Sequence, residues 1–269
     1  MKYLFPLWVA LGVCVGLGAA QADTNSWELV WQDEFDGAAL DLEKWAFEVN
    51  GKGGGNNELQ YYLTNNVAVR AGKLFIEARK ERHTGPDGTR EFTSSRIRTR
   101  LKGDWKYGRF DVRARLPAGR GMWPAIWLLP TDNAYGGWPH TGEIDLMELV
   151  GHEPNRVHGT LHYSKPDGNH TYVGQPFTLA RGDFSQDFHD FRLDWEPGVF
   201  RWYVDGKLFQ TQTNWPAKAG KFPAPFDQRF HLLLNLAVGG QWPGPPDANT
   251  KFPQAMVVEY VRVYRKQAR

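Results

Sequence analysis

The sequence predicts an all-β chain folded as a two-sheet sandwich or jelly roll. Three observations lead there. Short runs with the two-residue period of strands follow one another down the chain. Gly, Pro, Asn and Asp separate them at turn-like intervals. No segment sustains a helical period, and a dozen or more short strands without helices pack as two facing sheets. No internal repeat, low-complexity tract or linker divides the 269 residues, so one domain over residues 23–269 is expected.

The N-terminus stands apart. Lys2 precedes the apolar run LFPLWVALGVCVGLGAA, and Ala20-Gln21-Ala22 resembles a signal-peptidase site, so residues 1–22 read as a cleaved secretory signal. The competing reading, a membrane anchor, requires a longer span with basic flanks. Cleavage removes Lys2 and Cys14, taking the net charge from +2 to +1 and leaving no cysteine. The expected product is secreted or periplasmic, away from the membrane, and free of disulfides and thiol chemistry.

WELVWQDEFD opens the strand series, and AALDLEKW has room for one short helical turn. VAVRAGKLFIEAR reads as a hairpin around Ala71-Gly72, and Asp205-Gly206 marks another within VFRWYVDGKLFQTQT. MWPAIWLLP is nearly continuous apolar sequence, as in a central strand. RVHGTLHY, FHDFRLDWEPG, RFHLLLNLAVGG and MVVEYVRVY complete the set. The segments Val49–Asn57 and Gly239–Asn249 are too long and Gly/Pro-rich for hairpin turns and read as cleft walls.

Composition narrows the function. The chain is 41% hydrophobic and 23% charged, as a folded domain should be. Twelve Trp, 10 Tyr and 16 Phe exceed the needs of a core, and flat rings grip sugars or bases. The basic residues are scattered, which argues against a nucleic-acid partner.

The chemistry concentrates in WPHTGEIDLMELV. On a strand, Glu143 and Asp145 share one face while Ile144 and Leu146 share the other. Glu148 then falls out of phase, onto the core face, where an unpaired carboxylate is costly. A β-bulge with Met147 as the extra residue returns it to the acidic face. A helix places positions five apart on different faces and forms no apolar stripe. Three adjacent carboxylates cannot all ionise cheaply, so at least one pKa is raised. A split pair supplies both an ionised nucleophile and a protonated acid, as retaining glycosidases need. A solvated acidic strand and an acidic metal site remain open on spacing alone.

Several other positions carry more than one reading. His158 and His162 share a strand face, as metal ligands, as hydrogen-bond partners of a carboxylate or substrate, or as structural histidines. Trp123 and Trp127 also share a face, Trp127 being equally placed for core or cleft. Trp138 and Trp242 lie in turn-rich sequence where packing alone explains them poorly. Asn235, inside an apolar strand, needs a polar cluster or a cleft. A lectin or an adhesion module is also an aromatic-rich sandwich, but neither needs the carboxylate trio.

GEIDLME resembles the bulged E-(I/L)-D-x-x-E signature of glycoside hydrolase family 16. WQDEFDG, GNNELQYY, YGRFDVRARLPAGRGMWPAIWLLP, VHGTLHY, DFRLDWEPG, RWYVDG, LLLNLAVGG and YVRVY are similar to its laminarinase-type members in the same order. The resemblance implies a concanavalin A-like β-jelly roll with a substrate groove on its concave sheet. It implies retaining endo-hydrolysis of β-1,3 or mixed β-1,3/1,4 glucans by a monomer that needs no catalytic cofactor. Galactan hydrolysis or transglycosylation on the same site is the alternative. Glu143 would be nucleophile, Glu148 general acid/base and Asp145 the group that orients the nucleophile. Trp123, Trp138 and Trp242 match sugar-stacking positions; Asn57, Arg96, His162 and Asn235 match polar cleft positions. Ser95 stands where the family usually has Gly, which bears on groove shape beside Arg96. A structural calcium on the convex side would use Glu34, the Gly72 carbonyl and Glu259.

Overall fold

A computed structural model describes residues 27–267. The proposed signal segment and Cys14 lie outside the described residues, and no helix among those described is long and apolar enough to cross a membrane.

Two large antiparallel sheets face each other. One runs, edge to edge, through His170–Thr178, Arg156–Ser164, Glu143–Glu148, Met122–Pro130, Phe230–Val238, Arg96–Arg98 and Ala46–Phe47, with Asp104–Trp105 also on Phe230–Val238. The other runs through Lys207–Gln212, Val199–Val204, His189–Glu196, Gly108–Arg115, Gln254–Lys266, Lys73–Ala78 and Val67–Arg70, with Trp27–Asp33 also on Gln254–Lys266. This is the jelly-roll sandwich expected from the strand pattern.

Alternation builds the core between them. Phe230, Leu232, Leu234, Leu236 and Val238 enter the core, as do Met122, Ile126 and Leu128 next door and Val157, Leu161 and Tyr163 further along. The intervening residues face the far side of the first sheet, where the groove lies. In the second sheet Phe110, Val112, Phe191, Leu193, Trp195, Val261 and Val263 supply the opposing half.

The two hairpin turns form as expected. Ala71 and Gly72 have φ of +51° and +64°, and Asp205 and Gly206 +49° and +75°, the left-handed pairs that join two strands tightly. AALDLEKW closes as a single turn in which the Asp41 carbonyl accepts from the Lys44 and Trp45 amides.

The acidic strand is bulged, with one correction. Trp127 pairs with Asp145 and Ile126 with Met147, so Leu146 is the residue skipped beside Met122–Pro130, not Met147. Beside Arg156–Ser164 the pairing passes from Asp145↔Thr160 to Glu148↔His158, so Leu146 and Met147 together oppose Gly159. Both bulged side chains are buried. Two apolar residues in succession can enter the core only if the backbone kinks between them, and that kink is what turns Glu148 back. Trp202 of the second sheet supports it, donating Nε1 to the Asp145 carbonyl at 2.9 Å. Gly159 makes room for this indole: a Cβ there would stand 2.4 Å from Trp202 Cδ1.

Candidate active site

The strand register sets the carboxylates in rows. Glu143 lies opposite His162, Asp145 opposite Thr160, and Glu148 between His158 and Ala125. These residues floor an open groove of about 720 Å³, with Trp123, Trp127, Trp138, Trp242, Arg96 and Asn235 among its lining.

Each glutamate is held by an indole. Trp138 Nε1 donates to Glu143 Oε2 at 2.9 Å, and Trp123 Nε1 donates to Glu148 Oε1 at 3.0 Å. His162 Nε2 stands 3.3 Å from Asp145 Oδ2. Among the described residues no arginine or lysine makes a close ion pair with the trio, and the carboxyls sit deep in the sheet. Burial accordingly pushes Glu143 up to about 8, Asp145 adding to the shift while His162 and Trp138 oppose it. Burial likewise carries Asp145 to about 8. Glu148 is driven well above the carboxylate range by burial, then by Asp145 and Glu143 together.

The polar flank forms a second cluster. Trp127 faces the groove rather than the core and donates Nε1 to Asn235 Oδ1 at 2.7 Å, which satisfies the buried amide. The Arg96 guanidinium lies 4.5 Å above the Trp127 ring and pairs with Glu48 at 2.8 Å. Trp242 meets Trp123 edge-on at 5.6 Å and His158 at 5.1 Å, closing one side of the groove. Ser95 is fully buried outside the lining, so its side chain does not intrude on the groove.

Asn57 is not brought to the groove. It sits exposed in a turn at φ +58°, while its neighbours Asn56 and Glu58 line the wall. Glu58 fixes that wall, accepting from Gln60 at 2.7 Å, Tyr62 at 3.3 Å and Asn56 at 3.4 Å. Gly54 is required beside it, since a Cβ there would reach 2.1 Å from the Glu58 carboxylate. His170 and Tyr172 are further lining residues that sequence reasoning passed over. They alternate on an edge strand broken by Gly174 and Pro176, whose only sequence signal is that spacing. His170 Nε2 meets His162 Nδ1 at 2.9 Å, and its ring packs 4.8 Å from Trp138.

The expected calcium ligands do not fit an ion as they stand. Both Glu34 oxygens accept from Arg262, at 2.7 and 2.8 Å, while Glu259 accepts from Arg113 at 2.7 Å and approaches Lys73 at 3.6 Å. Their anionic oxygens are already matched by cations of the chain. Among the described residues, the grouping of His and carboxylates close enough for a metal is Glu143, Asp145 and His162.

A carboxylate trio on a bulged strand, indoles on the outer two, and an aromatic groove across a sandwich together define a glycoside hydrolase. Comparison with known proteins agrees. Residues 47–261 match the Glycosyl hydrolases family 16. The beta-glucanase of Rhodothermus marinus is 47% identical over 273 residues, covering 97% of this chain and 93% of that protein. The glucan endo-1,3-beta-glucosidase of Cryptopygus antarcticus is 40% identical over 251 residues, covering 88% and 92%. The catalytic domain of an endo-1,3-beta-glucanase (laminarinase) from Thermotoga petrophila superimposes with a TM-score of 0.83 at 41% identity, over 91% of this chain and 100% of that one. The chain belongs to glycosyl hydrolase family 16, a family of retaining endo-glycosidases.

Proposed function

We propose that this chain is an endo-β-1,3-glucanase that cuts laminarin-type or mixed β-1,3/1,4 glucans by double displacement. The observation that carries the reading is the trio itself, presented at the floor of the groove within a chain whose relatives are glucanases. Glu148 protonates the glycosidic oxygen while Glu143 attacks the anomeric carbon, giving a glycosyl-enzyme and releasing one chain end. Glu148, now ionised, takes a proton from water, whose oxygen displaces Glu143 from the anomeric carbon.

The electrostatics support this division. Burial and Asp145 oppose ionisation of both glutamates, and His162 and an indole N–H favour it in both; Arg96 further favours ionised Glu143, whereas the Glu143 charge further opposes ionisation of Glu148. Asp145 lies between them with His162 against it, placed to orient the nucleophile. Trp123, Trp138 and Trp242 offer rings to sugar faces; Arg96, Asn235 and His162 offer polar contacts. Secretion or periplasmic export, as a monomer, is part of the same reading and rests on the N-terminal sequence.

Product analysis on laminarin, lichenan, curdlan, agarose and xyloglucan tests the proposal. Short β-1,3-linked oligosaccharides from laminarin are expected. Cleavage of agarose instead overturns the substrate while keeping the trio, and binding without product from any glucan restores the lectin reading.

A further inference from the structure

We propose that the groove takes a second ligand: a divalent transition ion of the zinc and copper class, bound by Glu143, Asp145 and His162, which blocks the site. Only the inhibitory consequence rests on the glucanase reading; the ion site itself does not.

The donors are gathered already. One ligand atom from each of the three residues lies within 4.8 Å of the others. Donors about 2.0–2.1 Å from a tetrahedral zinc stand about 3.3 Å apart. His162 Nε2 and Asp145 Oδ2 are separated by 3.3 Å. That Asp145 oxygen is an independent pointer: the residue is 1% exposed, and the atom has no hydrogen-bond donor. A buried carboxyl oxygen facing an imidazole nitrogen gains a partner when an ion displaces its proton and sits between them. Glu143 supplies the third donor by a side-chain rotation, since Trp138 engages only Oε2.

The supporting contact is also present. His162 Nδ1 is bonded to His170 Nε2 at 2.9 Å, so the ring is fixed with Nε2 toward Asp145. Metal-binding histidines are held this way, through their other nitrogen. The donor chemistry selects the ion. One imidazole and two carboxylates suit zinc, copper or nickel, whereas calcium and magnesium prefer all-oxygen shells. Two carboxylates, releasing their protons as the ion binds, balance the dication, and the remaining coordination position opens into the groove. An ion there occupies Glu143 and the space beside it, so glucan and ion exclude each other.

Calorimetric titration of the full chain with ZnCl2 in a non-coordinating buffer tests this, alongside Cu2+ electron paramagnetic resonance. One ion per chain is expected, with nitrogen hyperfine structure from an imidazole, displaced by a β-1,3-linked tetrasaccharide. Laminarin hydrolysis should fall over the same zinc concentrations and recover fully with EDTA. His162→Gln should weaken zinc by 100-fold or more, and His170→Gln by about 10–100-fold, with an unchanged near-ultraviolet circular dichroism spectrum and a cooperative thermal transition in both as evidence of folding. No stoichiometric binding up to 1 mM zinc, a copper spectrum without nitrogen coupling, or undiminished zinc binding in His162→Gln overturns the proposal. Zinc bound as expected by a chain that hydrolyses no glucan supports the ion site and overturns the glucanase reading instead.

Discussion

The outward faces of the two sheets use the same residue types to opposite ends. On the second sheet each carboxylate meets a guanidinium: Asp194 with Arg109 at 2.7 and 2.8 Å, Asp111 with Arg192 at 2.6 Å, Glu34 with Arg262, Glu259 with Arg113. Even Asp111, which burial pushes up, has Arg192 opposing the shift. On the groove face Glu143, Asp145 and Glu148 receive indoles and a histidine in place of arginine. An indole N–H orients a carboxyl without supplying a charge. Paired acids are structural, whereas acids left unbalanced hold protons near neutral pH and can exchange them with a substrate.

Breaking the unbalanced side has the largest expected effect. Glu143→Gln should lower kcat by about 10³-fold or more, since an amide cannot form the glycosyl ester assigned to Glu143. Its stability should move the other way. Glu143 has a folded pKa near 8 against 4.5 ordinarily, so the folded state is favoured by its proton. That contribution is complete below pH 4.5 and is lost as pH rises through 8. Removing the acid should therefore raise Tm by several degrees at pH 8 and little at pH 4, as scanning calorimetry at both values will record. A lower Tm at pH 8 would count against an uncompensated Glu143.

Glu148→Ala should cost nearly as much in kcat on poor leaving groups, and added azide should restore turnover by forming a β-glycosyl azide; failure of rescue removes its acid/base role. In the intact enzyme, the acid limb of kcat/KM should lie above the ordinary carboxylate range, toward 8, as Glu143 ionises. Activity should fall again at higher pH as Glu148 loses its proton. An acid limb near pH 4.5 contradicts the raised value.

The balanced side should respond in stability alone. Arg109→Ala leaves Asp194, 5% exposed, without its counter-ion. A loss of about 1–3 kcal/mol is expected for the unsatisfied carboxylate, read as a lower urea midpoint with kcat unchanged. The smallest effect belongs to EDTA, which should leave Tm unaltered because Glu34 and Glu259 are already paired. A clear drop in Tm would mean that the Arg262 fork opens to admit calcium.

Much of this contrast was legible beforehand. Period-two alternation in RFHLLLNLAVGG and MWPAIWLLP reports which residues enter the core, because one face of each strand must bury apolar side chains. The phase error at Glu148 likewise forced a bulge. Which residue bulges was not legible: Leu146 and Met147 are both apolar, and register with Gly159 and Ile126 decides between them. Trp127 stayed ambiguous since an indole suits core and groove equally, until Asn235 supplied its acceptor. Asn57 was misplaced by one position because a left-handed residue turns its neighbour Asn56 to the wall. His170 was invisible, since its edge strand contains Gly174 and Pro176 and its partner His162 is set by pairing. The calcium positions rest on resemblance to family members alone, and only folding brings Arg262 and Arg113 beside Glu34 and Glu259.

The indole of Trp202 crosses from the second sheet to hold the backbone at Asp145. The acidic strand is therefore clamped from behind by the opposite half of the molecule, through the room left at Gly159. Parting of the sheets is expected to break this hold on the strand that carries the trio. The half-life of activity at high temperature is then a clock for sandwich opening, and substrate loops around the groove are free to diverge without resetting it.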